Sequence, residues 1–258
     1  MPKLKDIDAS EIGKTSFGFN YSHIGVDKLE ASNYTIVHIT TDKSGSVAGF
    51  SKELEDINKT CVESCQDSPE SENLLIRSTA FDSDLSGVDI EELHGYTLLS
   101  AIDPNQYDGS IIPRGGTPLY DATLDAILSL TDFGQKVWED QHICNSILFV
   151  ITDGDENDSQ NKDVKIVREA MDELHRHEQI ESFVSILIGL NTSNQRVADF
   201  LNNYHKDAGF DAYIDIKNST KKELAKLAKF VSQSVSSQSQ HCGSGGPSQI
   251  VDYQSLSI

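Results

Sequence analysis

Three short stretches place oxygen-bearing side chains where apolar runs stop. DKSGS, residues 42–46, follows YTIVHIT (34–40). RGGTPLYDA (114–122) opens a helical pattern. TDGDEND (152–158) closes the apolar run NSILFVIT (145–152). Together they supply Asp42, Ser44, Ser46, Thr117 and Asp153, two carboxylates and three hydroxyls. These are hard oxygen donors, suited to Mg2+, Mn2+ or Ca2+ and poor for zinc. Five such donors fall short of the six or more oxygen ligands these ions take and leave a position open to one more anionic ligand.

The elements that must position them alternate in type. Strands are expected at 34–40, 73–83, 145–152, 182–190 and 211–216, with a short antiparallel strand around Leu93–Leu98. Helical spacing appears at 48–65, where Phe50, Leu54, Ile57, Cys61 and Cys65 fall on one face, and again from Thr117 and over 162–178. Asn194 can cap a helix through Tyr204, and Ser219 or Thr220 a last one reaching about Val235, with Leu224, Leu227, Ala228 and Val231 as its core stripe. Strands alternating with helices predict a doubly wound, mostly parallel α/β sheet flanked by helices, with one antiparallel edge strand. In such sheets ligands bind beyond the carboxyl ends of the strands, near a topological switch point. DKSGS and TDGD would share that edge, and Thr117 would join them if its loop returns there.

Residues 1–33 read as an N-terminal arm that packs on the domain without building its core, 34–235 as the domain, and 236–258, rich in Ser, Gln and Gly, as a disordered tail. DASEIGKT (8–15) approaches a phosphate loop, but Asp8 stands at the first glycine position and no apolar strand precedes it, which excludes nucleotide binding there.

The 41 acidic residues against 21 Lys and Arg give a net charge of −20, which works against nucleic acid and anionic membranes as partners. No apolar run has the length of a membrane span. MPKLKDIDASEIGK lacks the apolar core of a signal peptide, so a cytoplasmic protein is expected. Cys61, Cys65, Cys144 and Cys242 contain no C-x-x-C pair and read as reduced thiols; a zinc site from Cys61, Cys65 and a histidine is the weaker alternative.

D-x-S-x-S as DKSGS, the threonine of GGTPLYDA and the third loop TDGD, in that order, resemble the metal-ion-dependent adhesion site of von Willebrand factor type A domains, over roughly residues 34–235. GGTPLYDA resembles bacterial and phage members more than integrins. The resemblance implies Asp42, Ser44, Ser46, Thr117 and Asp153 as the metal set, the hydroxyls closest and the aspartates partly acting through waters. It implies that a Glu or Asp of a partner protein fills the open position. It further implies metal-dependent protein binding without turnover, with an adaptor role beside a AAA+ ATPase as one form. Val47 departs from the methionine many members carry, beyond the ligands.

Other readings compete. DKSGS alone is often only a turn and helix cap. Asp121, four residues after Thr117, is either an acceptor behind the metal set or an exposed helix acid. Asp155, Glu156 and Asp158 could bind a second cation but read better as a solvated acidic loop. His175 and His177 near a helix end suit its dipole and are given no ligand role. Neither Ser44 nor Ser46 sits in G-x-S-x-G, which excludes a serine hydrolase elbow. A Mg2+-dependent phosphohydrolase could use Asp42 as nucleophile, but Ser44 stands where a second acid is wanted. A structural subunit whose metal stiffens the loops is a further alternative.

Overall fold

The computed structural model describes residues 10–66, 71–190, 193–217, 220–242 and 250–255. In chain order its elements are β1 (Ser10–Lys14), β2 (Asn20–Ile24), β3 (Asn33–Asp42), α1 (Ser51–Gln66), β4 (Leu74–Asp84), β5 (Gly87–Leu98), α2 (Leu119–Glu139), β6 (Ile143–Thr152), α3 (Val164–His175), β7 (Phe183–Leu190), α4 (Gln195–Ala208), β8 (Ala212–Ile216) and α5 (Lys221–His241). The strands form one sheet in the order β1-β2-β5-β4-β3-β6-β7-β8.

From β4 across to β8 every neighbouring pair is parallel, and β5 runs antiparallel to β4. The expected doubly wound, mostly parallel architecture is therefore present. β3, β6 and β7 are buried along nearly their whole length because helices cover both faces. Side-chain alternation divides the core. Val37, Ile39, Ile147 and Phe149 face α1 and α5, where Leu54, Ile57, Leu227, Ala228 and Val231 meet them. Ile36, Leu148 and Val150 face the opposite layer of α2, α3 and α4, through Leu124, Ile127, Met171 and Leu201. Three helices start as their polar residues dictate: the side chains of Asp163, Asn194 and Thr220 accept from the amides of Lys165, Arg196 and Glu223.

β3 lies between β4 and β6, so the chain leaves it to one side and later returns on the other. The carboxyl ends of β3 and β6 lie side by side, in register at Thr41 and Ile151. That is the switch point at which a doubly wound sheet opens a crevice.

Both ends of the chain depart from expectation. Residues 10–24 are not an arm outside the core. They fold into the β1–β2 hairpin, and β2 joins β5 in parallel at His23 and Tyr96, so the expected antiparallel edge is present as the β1–β2 pair, and β5 lies one step inside it. Tyr21 is buried, edge-on to Tyr96, and its hydroxyl donates to Asp132. The main-chain approach is close: a Cβ at Gly95 would lie 2.2 Å from the Ser22 carbonyl oxygen. At the other end α5 continues past Val235 to His241. Its polar residues Ser234 and Gln238 are buried, and the Gln238 side chain donates to Ser182 Oγ at 2.8 Å; the Asn145 amide donates to the Gln238 main-chain carbonyl at 2.6 Å, and that of Asn33 to the Cys242 carbonyl just past α5 at 3.1 Å. Tyr253 is 9% exposed and packs edge-on against Phe230. Tail residues 243–249 and 256–258 lie outside the described residues. Among the described residues no helix is long and apolar enough to cross a membrane.

Candidate metal centre

Asp42 ends β3 and is 1% exposed. Its Oδ1 accepts from the Ser44 amide at 2.7 Å, and its Oδ2 from the hydroxyl of Thr152, the last residue of β6, at 2.6 Å. The chain then enters a 3-10 turn over Gly45–Gly49. Ser44 stands at the cap position of that turn, yet its side chain makes no capping hydrogen bond. Its Oγ lies 2.9 Å from Ser46 Oγ, and Ser46 donates to Asp153 Oδ1 at 2.6 Å. The reading of DKSGS as a mere helix cap therefore does not describe these hydroxyls. They form a chain from the end of β3 to the residue that follows β6.

The second loop returns to the same edge. Arg114 N donates to the Lys43 carbonyl at 3.0 Å and Gly45 N to the Gly115 carbonyl at 3.1 Å. Gly115 has φ +58°, and a Cβ there would fall 1.4 Å from the Ser83 carbonyl oxygen, so only glycine fits this crossing. Two residues later Thr117, 3% exposed, is gripped by Asn157: its amide donates to Asn157 Oδ1 at 2.9 Å, and its carbonyl accepts from Asn157 N at 3.2 Å. The Thr117 hydroxyl faces the backbone next to Asp153, for a Cβ on Gly154 would lie 3.2 Å from Thr117 Oγ1. Asp42, Ser44, Ser46, Thr117 and Asp153 are thus brought to one edge of the sheet.

Burial raises the Asp42 pKa to about 7; hydrogen bonds from Thr152 and Ser44 pull it down, and neighbouring Asp153 adds to the rise. Burial likewise raises Asp153, offset by Ser46. Among the described residues neither carboxylate has an ion pair with a lysine or arginine. Among them, too, no three His, Cys, Asp or Glu cluster as a metal group. The edge has two carboxylates, and its remaining donors are hydroxyls. This chemistry fits a hard cation: a buried and a half-buried carboxylate, neither ion-paired among the described residues, and three hydroxyls, with no soft ligand. The zinc alternative does not fit. Cys61 and Cys65 are buried in the α1 core, and burial pushes the Cys65 thiol up to about 12.

The acidic loop is not simply solvated. Glu156 Oε2 and Ser159 Oγ accept from the Tyr120 amide at 3.0 and 3.1 Å, satisfying the open N–H groups at the start of α2. Asp158 accepts from Ser83, and Asp155 pairs with Arg196 at 2.8 Å. Asp121 is buried and accepts from Gln160 N at 2.5 Å and Asn161 N at 3.2 Å, so it is an internal acceptor that ties this loop to α2. The sequence reading missed Thr152 and Asn157. Thr152 stood in TDGD but read as the strand's last residue, and Asn157 carries no signal beyond its place in a polar loop.

A doubly wound α/β domain with an oxygen-lined switch point is the class that fold and site define. No family model matches the chain, and no curated protein matches it. Among solved structures, a variant of the PilB minor pilin from Streptococcus sanguinis superposes with TM-score 0.57 at 12% identity, over 83% of this chain and 64% of the pilin. The pilus adhesin SpaC from Lactobacillus rhamnosus GG gives TM-score 0.54 at 11% identity, over 81% of this chain and 31% of the adhesin. The manganese-loaded TRAP protein of Plasmodium vivax gives 0.48 at 17% identity, over 77% of this chain and 73% of that one. The chain thus spans less than two thirds of the pilin and under one third of the adhesin. At these identities the likeness is one of fold.

Proposed function

We propose that this protein is a divalent-metal-dependent protein-binding module of von Willebrand A type that performs no turnover. The observation that carries the reading is the chain Asp42–Ser44–Ser46–Asp153 at the switch point, with Thr117 beside it and, among the described residues, no basic side chain paired to either acid. Asp42, Ser44, Ser46, Thr117 and Asp153 would hold Mg2+, with Mn2+ or Ca2+ as substitutes. The bound ion supplies a position for a Glu or Asp carboxylate of a partner protein. In a chain of net charge −20, long-range forces repel an acidic partner, so the attraction acts at contact. A pilin and an adhesin among the similar structures accord with a binding module. An adaptor beside a AAA+ ATPase is one form this takes. The four buried free thiols accord with a reducing, cytoplasmic setting.

The burial of Asp42 weighs against the phosphohydrolase reading. Both its oxygens already accept hydrogen bonds, so it is poorly placed to attack a phosphoester. Affinity capture in Mg2+ buffer, repeated with chelator at equal ionic strength, tests the proposal. Partners retained only with the metal, and lost in Thr117→Ala, support it. Capture indifferent to chelator, or phosphoester hydrolysis that disappears in Asp42→Asn, overturns it.

A further inference from the structure

Lys43, between the first two residues of the metal set, is 1% exposed. Its Nζ lies 2.7 Å from Glu91, 3.1 Å from Asp89 and 3.5 Å from Asp82 Oδ1. Arg114, which immediately precedes Gly115–Gly116–Thr117, uses two of the same acids: its Nε donates to Asp82 Oδ2 at 2.6 Å and its Nη2 to Asp89. Asp82 is fully buried, and among the described residues its Oδ1 accepts no hydrogen bond, leaving the charge of Lys43 as its near partner. A cation from each of two metal-bearing loops is therefore bound to one pair of carboxylates, supplied by β4 and β5. The backbones of Lys43 and Arg114 are joined directly as well, at 3.0 Å.

We infer that Arg114 is a positioning residue: through Asp82 and Asp89, which it shares with Lys43, it holds the Gly115–Thr117 loop against the Asp42–Ser46 loop and so assembles the oxygen set. The inference rests on the metal reading above. It differs in sign from a simple field effect. Removing a positive charge near a cation site should, by Coulomb's law alone, tighten cation binding. If Arg114 positions the loops, its removal weakens binding. Partners behind a metal's direct ligands commonly account for about tenfold or more in affinity.

Mn2+ binding to the full chain is measured by calorimetric titration and by the Mn2+ electron paramagnetic resonance signal. The proteins compared are wild type, Arg114→Ala, Arg114→Lys and Lys136→Ala, the last removing a distant surface ion pair with Asp132. The expected result is saturable wild-type binding, about tenfold weaker binding and an altered Mn2+ signal in Arg114→Ala, incomplete recovery in Arg114→Lys, which lacks the fork that reaches both acids, and no change in Lys136→Ala. The metal-free Arg114→Ala should melt below wild type, because Arg114 is half-exposed but the Asp82 carboxylate it leaves is fully buried, so binding is compared at a temperature where both proteins are folded. Should Arg114→Ala not fold, Arg114→Gln carries the same expectation. Unchanged or tighter Mn2+ binding in the neutral variant, with wild type binding normally, overturns this inference alone. Absence of Mn2+ binding in wild type overturns the metal reading and this inference with it.

Discussion

The Ser46 hydroxyl donates to the Asp153 carboxylate at 2.6 Å, across 107 residues of chain. One bond joins the loop after β3 to the loop after β6, and through Ser44 it reaches the end of β3 itself. The candidate centre exists because parallel pairing of these two strands aligns their carboxyl ends.

A cation bound only by the folded protein stabilises it by mass action, about 2.7 kcal/mol at a hundredfold excess over Kd. Millimolar Mg2+ or Mn2+ should therefore raise the wild-type melting temperature, and Asp153→Ala should cancel the rise. Scanning calorimetry with and without chelator checks this; equal shifts in both proteins would place the ion elsewhere.

Gly115→Ala should damage the crossing of the first two loops. The left-handed backbone alone costs roughly 1–3 kcal/mol for a non-glycine residue, and the new Cβ would collide with the Ser83 carbonyl. Gly49→Ala, with nothing within 4 Å of the new atom, should stay within about 0.5 kcal/mol of wild type. Urea denaturation of both variants reads the contrast, which fails if they lose stability equally.

Arg77 and Asp125 are 2.9 Å apart, with side chains 2% and 3% exposed. Asp125→Ala leaves the guanidinium in the core with Glu92 as its remaining acid. A loss of about 3–5 kcal/mol is expected. The double replacement Arg77→Met, Asp125→Leu should recover part of it, because no buried charge is then stranded. Equilibrium unfolding of the single and double variants distinguishes these outcomes; a double variant weaker than the single one would contradict them.

Truncation after Val235 should lower the melting temperature, since it removes Gln238 and Cys242 from the start of the central strands and Tyr253 from Phe230. Truncation after Cys242 removes only the last of these, and should cost roughly 1–3 kcal/mol for one mostly buried aromatic side chain. Thermal unfolding of the two truncations beside the full chain tests the order. An unchanged melting temperature for the shorter protein would show that the end of α5 contributes nothing.

Much of the site could be read in the linear chain because its information is local. Asp42, Ser44 and Ser46 are spaced within one turn, Asp153 directly follows an apolar run, and the strand and helix periods that bracket them are properties of neighbouring residues. The helix caps at Asn194 and Thr220 were legible for the same reason. The rest depends on partners distant in sequence. The β1–β2 hairpin joins the sheet because Gly95 admits the Ser22 backbone and Tyr21 finds Tyr96 and Asp132, partners that the aromatic FGFNY at 17–21 in an otherwise mixed, polar segment does not name. The serines and glutamines of α5 looked like tail because a buried face that includes Ser232, Ser234, Gln238 and Ser239 leaves no apolar period there. Glu156 looked like a surface acid, and Asp121 stayed open between an acceptor behind the metal set and an exposed acid, until the fold set the 155–161 loop over the start of α2, where unpaired amide groups required acceptors. Local spacing determined which oxygens stand at the strand ends. The tertiary structure decided which distant groups hold them there, because a buried polar atom must find its partner wherever the fold brings one.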